Sequence, residues 1–248
     1  MKNKIRKIFQ NKLKEKVISI EDCSKGDDFK VKIVTTNKSK YVYKQCKSKS
    51  IVFREIFGCK KLAKLIPVPK IICNSKKWII QEFIESKDLD TIKLPEKESK
   101  AIYFKLGQIL KKIHSIKMKG YGEVQENYHG KYKTLKRFES EWKSNLNKIS
   151  VFKLISKQEK EKIIDFINKN KAFFYLKESV LLHYDFEAYN IKIKNNKISG
   201  IIDFGDLSCG PKEKDLVRMY IKHYFGRKFQ YILQGYKQKL DLNKIKFF

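Results

Sequence analysis

The spacing of apolar positions changes character several times along the chain. Residues 17–36 (VISIEDCSKGDDFKVKIVTT) hold two alternating, β-like runs around a polar turn that contains Gly26. SKYVYKQC, residues 39–46, continues the alternation with Tyr and Val and predicts a third strand. From residue 50 the period lengthens. Ile51, Phe53, Ile56, Phe57, Leu62 and Leu65 approximate one helical stripe, and Pro67 and Pro69 end it. KIICNS (70–75) and KWIIQEFIE (77–85) predict two more strands with a turn at NSKK.

The second half is mostly helical. Residues 98–116 place Ile102, Leu106, Ile109, Leu110 and Ile113 on one face, and 132–149 and 156–174 predict two further amphipathic helices. Short strands then return at SVLLH (179–183), NIKIK (190–194) and ISGIIDF (198–204), and helices close the chain at 212–225 and 228–240. This order predicts an α+β, two-lobed protein. A β-rich lobe of residues 1–87 precedes a larger, mainly α-helical lobe of 88–248 with a small hairpin inside it, divided near ESKDLD (85–90). A cleft between the lobes is the expected site.

Composition narrows the class. With 248 residues, 42% hydrophobic, only 4 Pro and 11 Gly, the chain can bury a substantial core. No apolar run approaches a membrane span. The basic start, MKNKIRKIFQNKLKEK, lacks the apolar core of a signal peptide, although an amphipathic targeting helix fits its pattern. The five cysteines are odd in number and form no CxxC pair, which points to free thiols in a reducing cytoplasm. The formal net charge of +30 raises nucleic-acid binding. Against it, only five of the 57 basic residues are Arg, and the lysines are spread over the whole chain. Abundant Lys, Ile and Asn together match the codon usage of an AT-rich genome.

The short strands near residue 180 deliver polar groups at defined places. Apolar VLL precedes His183, Asp185 and Asn190; apolar GII precedes Asp203, Phe204 and Gly205. A hairpin with the turn KNNK separates them, so both segments can bring carboxylates toward one point. Phosphoryl transfer needs a group that orients or deprotonates a hydroxyl, and hard oxygen ligands for Mg²⁺. Asp185 suits the first role; Asn190 and Asp203 suit the second. The spacing is that of H-x-D-x-x-x-x-N followed by D-F-G. In the bland alternative, Asp203 only caps a turn; His183 reads as structural rather than catalytic.

The stretch LLHYDFEAYNIKIKNNKISGIIDFGDLSCGPKEKDLVRMY resembles the aminoglycoside phosphotransferase-like branch of the protein-kinase fold, which is related to choline kinases and other small-molecule kinases. His183, Asp185, Asn190, Ile202 to Asp206 and Asp215-Leu216 match its pattern. IHSIKMKGYGEV and RFESEW also look like features of the family. Tyr184 stands where protein kinases have Arg, and no A-P-E segment follows. The resemblance implies a phosphate-holding lysine, Lys44, with a helix glutamate, Glu55, to orient it. It also implies a phosphate-covering turn at Ser24 and Gly26, with one glycine where protein kinases have three. By the same resemblance Gln81 is the gatekeeper, with the Glu82 carbonyl and the Ile84 amide on the purine edge. Asp215 is expected to anchor the loop, and His114, His129 and His223 to be structural or exposed.

The implied activity is Mg²⁺-dependent transfer of the γ-phosphoryl of ATP or GTP to a small-molecule hydroxyl, most readily that of an aminoglycoside, as in antibiotic resistance. Glu187, Asp206, Glu123, Glu126, Glu139 and Glu141 are the acidic candidates for a cationic acceptor. Metabolic kinases for choline, a sugar or an amino-acid hydroxyl are the alternative, and a non-catalytic kinase-like binding module is the second. A cytoplasmic monomer or weak dimer without nucleic-acid or membrane partners is expected.

Overall fold

The computed structural model describes residues 1–23, 29–46, 48–137, 140, 144, 155–175, 178–223, 226–238 and 240–247. The chain divides into two compact units. The first takes residues 1–98 and 187–206; the second takes 99–186 and 207–248. The boundary expected at residue 87 falls inside the first stretch, and the first unit also includes the segment carrying Asn190 and Asp203.

The first unit is built on a five-stranded antiparallel sheet of order β1-β2-β3-β5-β4, with β1 Val17–Cys23, β2 Phe29–Thr36, β3 Lys40–Cys46, β4 Ile71–Asn74 and β5 Trp78–Glu82. Its strands are those that the alternation marks. Helix α1, Lys2–Leu13, buries Ile5 and Phe9, one turn apart, against Val17, Ile20, Val34, Tyr43 and Ile80. Burying two such side chains contributes roughly 1.5–3 kcal/mol each, so the basic N-terminal stretch belongs to this core. Helix α2, Lys49–Leu62, places Val52 beside Phe29, Cys46 and Ile79.

The same unit holds the hairpin of β10 (Ile191–Lys194) and β11 (Lys197–Ile201), joined by β6 (Lys87–Asp88) along β10. Asn195 and Asn196 both have positive φ, 50° and 53°. Such a two-residue turn matches strand twist, and Asn tolerates the conformation. Ile201 N–H donates to the Pro67 carbonyl, which ties the hairpin to the segment after α2.

The second unit is mainly helical. Its helices are α3 Glu96–His114, α4 Lys157–Lys169, α5 Val217–His223, α6 Arg227–Tyr236 and α7 Leu242–Phe247, α3 entering from the first unit. Four short strands, β7 Tyr121–Val124, β8 Gly130–Tyr132, β9 Val180–Leu182 and β12 Ser208–Gly210, form a sheet of order β8-β7-β12-β9. Helices α3 and α6 touch backbone to backbone. A Cβ on Gly107 would lie 2.0 Å from the Ile232 carbonyl oxygen, and one on Gly235 would lie 1.8 Å from that of Phe104. Only glycine permits this approach. It brings His114 on α3 against Tyr236 on α6. Helix 132–149 falls largely outside the described residues; Leu135 to Arg137 are helical. Among the described residues no helix is long and apolar enough to cross a membrane.

Candidate active site

In the first unit, three charged groups from distant parts of the sequence meet. Lys44 on β3 lies with its Nζ 2.7 Å from Glu55 Oε1 on α2 and 3.5 Å from Asp203 Oδ1 beyond β11. The sheet and helix explain the geometry. Residue 44 alternates inward on β3, and Glu55 stands on the buried face of α2 with Val52 and Cys59. Glu55 Oε2 also accepts the Phe204 N–H at 2.6 Å, and Arg54 Nε donates to the Gly205 carbonyl. Neighbouring residues of α2 therefore hold two successive residues of the DFG segment.

Burial alone would push Lys44 down, but the carboxylates of Asp203 and Glu55 outweigh it and raise its pKa, so it remains an ammonium. Glu55 is driven the other way by burial, against the pull of Lys44. Asp203 has φ 69°, an uncommon conformation outside glycine, and its side chain is 41% exposed. The turn at Asp203 thus keeps the carboxylate accessible while Phe204 is fully buried. Asn190 is buried, and its carbonyl accepts the Ile202 N–H at 3.0 Å, one residue before Asp203. Asn190 and Asp203 are two hard oxygen donors. Mg²⁺ typically takes only one or two carboxylates from the protein and keeps phosphate and water for the rest. The donor set fits that ion. Among the described residues no group of three or more His, Cys, Asp or Glu forms a closed metal cage.

Gln81 sits on β5 between Val42 on β3 and Ile71 on β4. It is buried, and its Oε1 has no hydrogen-bond partner among the described residues. An orphaned buried amide oxygen costs roughly 1–3 kcal/mol, so a ligand that satisfied it would be favoured. The amide can turn to accept or donate. A purine edge therefore suits it. Glu82 ends β5, and the Ser86 hydroxyl donates to the Ile84 carbonyl at 2.9 Å. Ser24 and Gly26 lie outside the described residues.

The second unit holds Asp185, in the loop after β9. Asp215 carries that loop. Its Oδ2 accepts the His183 N–H at 2.8 Å and its Oδ1 accepts the Tyr184 N–H at 2.7 Å. Tyr184 has φ 71°, so the clamp holds a left-handed residue immediately before Asp185. His114 Nε2 lies 3.1 Å from Asp215 Oδ2, and its Nδ1 lies 2.9 Å from the Tyr236 hydroxyl. A carboxylate only accepts, so Nε2–H donates to Asp215. Burial, then Glu213 and Asp215, push the Tyr236 phenol up, so it stays a donor. His183 is fully buried and edge-on to Phe186 at 5.7 Å. Arg218 Nη1 lies 2.8 Å from Asp185 Oδ1.

Glu123 and Glu126 are exposed on and after β7 in the second unit; Glu187 and Asp206 belong to the first. Glu139 and Glu141 lie outside the described residues. Sequence reading did not single out Arg218 or Tyr236, and it took His114 as structural or exposed without naming partners. The helical stripe of α3 extends to His114, which was a signal for its burial. Nothing in spacing pointed to its partners 101 and 122 residues away.

The family model APH, described as "Phosphotransferase enzyme family", matches residues 19–241. The chain belongs to this family. It is a phosphotransferase. No curated protein matches the sequence. Among solved structures, the gentamicin–APH(2")-IIa complex is 22% identical with a TM-score of 0.73, covering 95% of this chain and 81% of that one. The streptomycin–ATP–APH(2")-IIa ternary complex gives 24% identity and a TM-score of 0.72, covering 96% and 83%. Macrolide 2'-phosphotransferase MphH from Brachybacterium faecium, as apoenzyme, gives 13% and 0.72, covering 99% and 86%. Likeness at these identities shows a shared kinase-like fold, with its β-sheet N-terminal region and helical C-terminal region.

Proposed function

We propose that this phosphotransferase moves the γ-phosphoryl of a purine nucleoside triphosphate, ATP or GTP, with Mg²⁺, to a hydroxyl of a small molecule. An aminoglycoside is the leading acceptor. The carrying observation is the Lys44–Glu55–Asp203 contact, a buried ammonium kept charged beside an accessible carboxylate. ATP, gentamicin and streptomycin are named in the complexes of the structural relatives.

In this reading Lys44 holds phosphate oxygens, and Glu55 keeps the lysine in place. Asn190 and Asp203 would hold Mg²⁺, which when bound neutralises charge on the transferring phosphoryl group. Gln81 meets the purine, with the Glu82 carbonyl and Ile84 amide completing its edge. Asp185 accepts the hydrogen of the acceptor hydroxyl and so aligns its oxygen for attack. The hydroxyl proton passes to Asp185 as the oxygen–phosphorus bond forms and the bond to the leaving nucleoside diphosphate breaks. Glu187, Asp206, Glu123 and Glu126 are the described acidic groups for a cationic acceptor.

A second reading, a metabolic kinase for a less cationic hydroxyl compound, draws on two cations beside the loop. Arg218 pairs with Asp185, and Lys214 lies over the Tyr184 ring at 5.0 Å. The test is nucleotide consumption, with ATP and with GTP, against aminoglycosides, macrolides, choline and sugars. Asp185→Asn should lower turnover at least roughly a hundredfold while nucleotide binding persists. Undiminished turnover in that variant would overturn the assignment.

A further inference from the structure

Asp185 has a partner that the H-x-D-x-x-x-x-N spacing does not designate. Arg218 Nη1 lies 2.8 Å from its Oδ1, with side chains 49% and 16% exposed. Asp185 is therefore mostly shielded, whereas the arginine reaches it from a partly open position. The 3-10 turn Lys212–Leu216 runs straight into α5 through Val217, at φ −58° and ψ −50°. Asp215 and Arg218, three residues apart on this continuous helical path, share one face. From that face Asp215 holds the backbone N–H groups of His183 and Tyr184. Arg218 holds the side chain of the very next residue.

The residue type adds independent weight. Lysine is the default cation of this chain; five arginines stand among 57 basic residues. Two of those five meet the motif segments, Arg54 on the Gly205 carbonyl and Arg218 on Asp185. A planar guanidinium fixes the orientation of a carboxylate in a way that a rotating ammonium does not.

We infer that Arg218 is the positioning residue of Asp185, holding its carboxylate in one orientation toward the acceptor hydroxyl. This rests on the reading of Asp185 given under Proposed function. Pinning Oδ1 restricts rotation about the last side-chain bond. Phosphoryl transfer asks little proton transfer of the protein and much alignment, so misorientation of this carboxylate costs rate rather than binding.

The test uses the full chain with Mg·ATP and water as acceptor, so that hydrolysis reports on Asp185 whatever the natural hydroxyl compound is. Arg218→Ala should lower kcat about tenfold or more, with KM for ATP and the melting temperature near those of the wild type. Arg218→Lys should recover part of the loss. In an Asp185→Asn background, Arg218→Ala should cost nothing further, because it acts through that carboxylate. A wild-type or raised kcat in Arg218→Ala would overturn the inference. So would a loss that Arg218→Lys leaves untouched, or one that comes with a raised KM or a lowered melting temperature. Hydrolysis lost in Asp185→Asn but kept in Arg218→Ala defeats Arg218 alone. Hydrolysis unaffected by Asp185→Asn defeats the reading on which it rests.

Discussion

The two units hold their polar centres by different physics. In the first, Lys44, Glu55 and Asp203 are charges balanced against one another, and the lysine stays cationic because two carboxylates offset its burial. In the second, the loop before Asp185 is held by hydrogen bonds from Tyr236 through His114 to Asp215 and on to two backbone N–H groups. A charge cluster can adapt to the loss of a member by taking up or releasing a proton. A clamp on backbone N–H groups has no such recourse, because the donors stay buried and unmet. The first arrangement keeps a buried lysine cationic; the second holds the backbone of a loop in place.

The sharpest way to break this contrast is Asp215→Ala. It strips the His183 and Tyr184 N–H groups and His114 of their acceptor. The expected loss is about 3–5 kcal/mol, seen as a fall of about 6–20 °C in melting temperature, with turnover lost alongside. A fall of only a degree or two would mean that the clamp does not stabilise the loop. Lys44→Met should behave differently. Turnover should drop roughly a hundredfold or more while stability falls by only about 1–3 kcal/mol, since Glu55 keeps the Phe204 N–H and can take up a proton. Parallel kinetics and melting curves would show it; equal losses of stability in the two variants would erase the distinction.

The smallest effect concerns His223 in the second unit. Burial, then Lys228 and Lys222, push its pKa down to about 4, and its ring meets Tyr103 edge-on at 5.3 Å. Its folded pKa lies below the unfolded value, so between about pH 6.5 and 4 the unfolded chain binds a proton that the folded chain refuses. Stability therefore falls as pH drops through that window. His223→Phe should flatten the acid limb of a melting-temperature profile by on the order of 1 kcal/mol, given the partial exposure of the site. An unchanged acid limb would show that His223 is not the group responsible.

Much of the first unit was legible because its signals are local. Alternation marks β1 to β5, the helical period from Ile51 to Leu62 marks α2 although its buried face is Val52, Glu55, Cys59 and Leu62 rather than that stripe, and two Asn residues mark the hairpin turn. The second unit was legible in its helices and less so in its sheet. Strand β12 is only Ser208–Gly210, too short for a period, and exists because β7 and β9 flank it. The acidic candidates illustrate a different gap. Counting Asp and Glu finds Glu123, Glu126, Glu187 and Asp206, yet identity alone does not tell that Glu187 is half-buried while the other three are exposed.

The order of strands and helices and the H-x-D-x-x-x-x-N and DFG spacing were determined by sequence alone, because each rests on separations of a few residues or on one repeating period; the Lys44–Glu55 pairing was implied only by the family resemblance. The tertiary structure alone decided that Asp203 reaches Lys44 across 159 positions, that Gly107 and Gly235 let α3 bring His114 to Tyr236, and that Arg218 holds Asp185. Such contacts depend on chain closure and close packing. No local period encodes which distant residues will share a buried face.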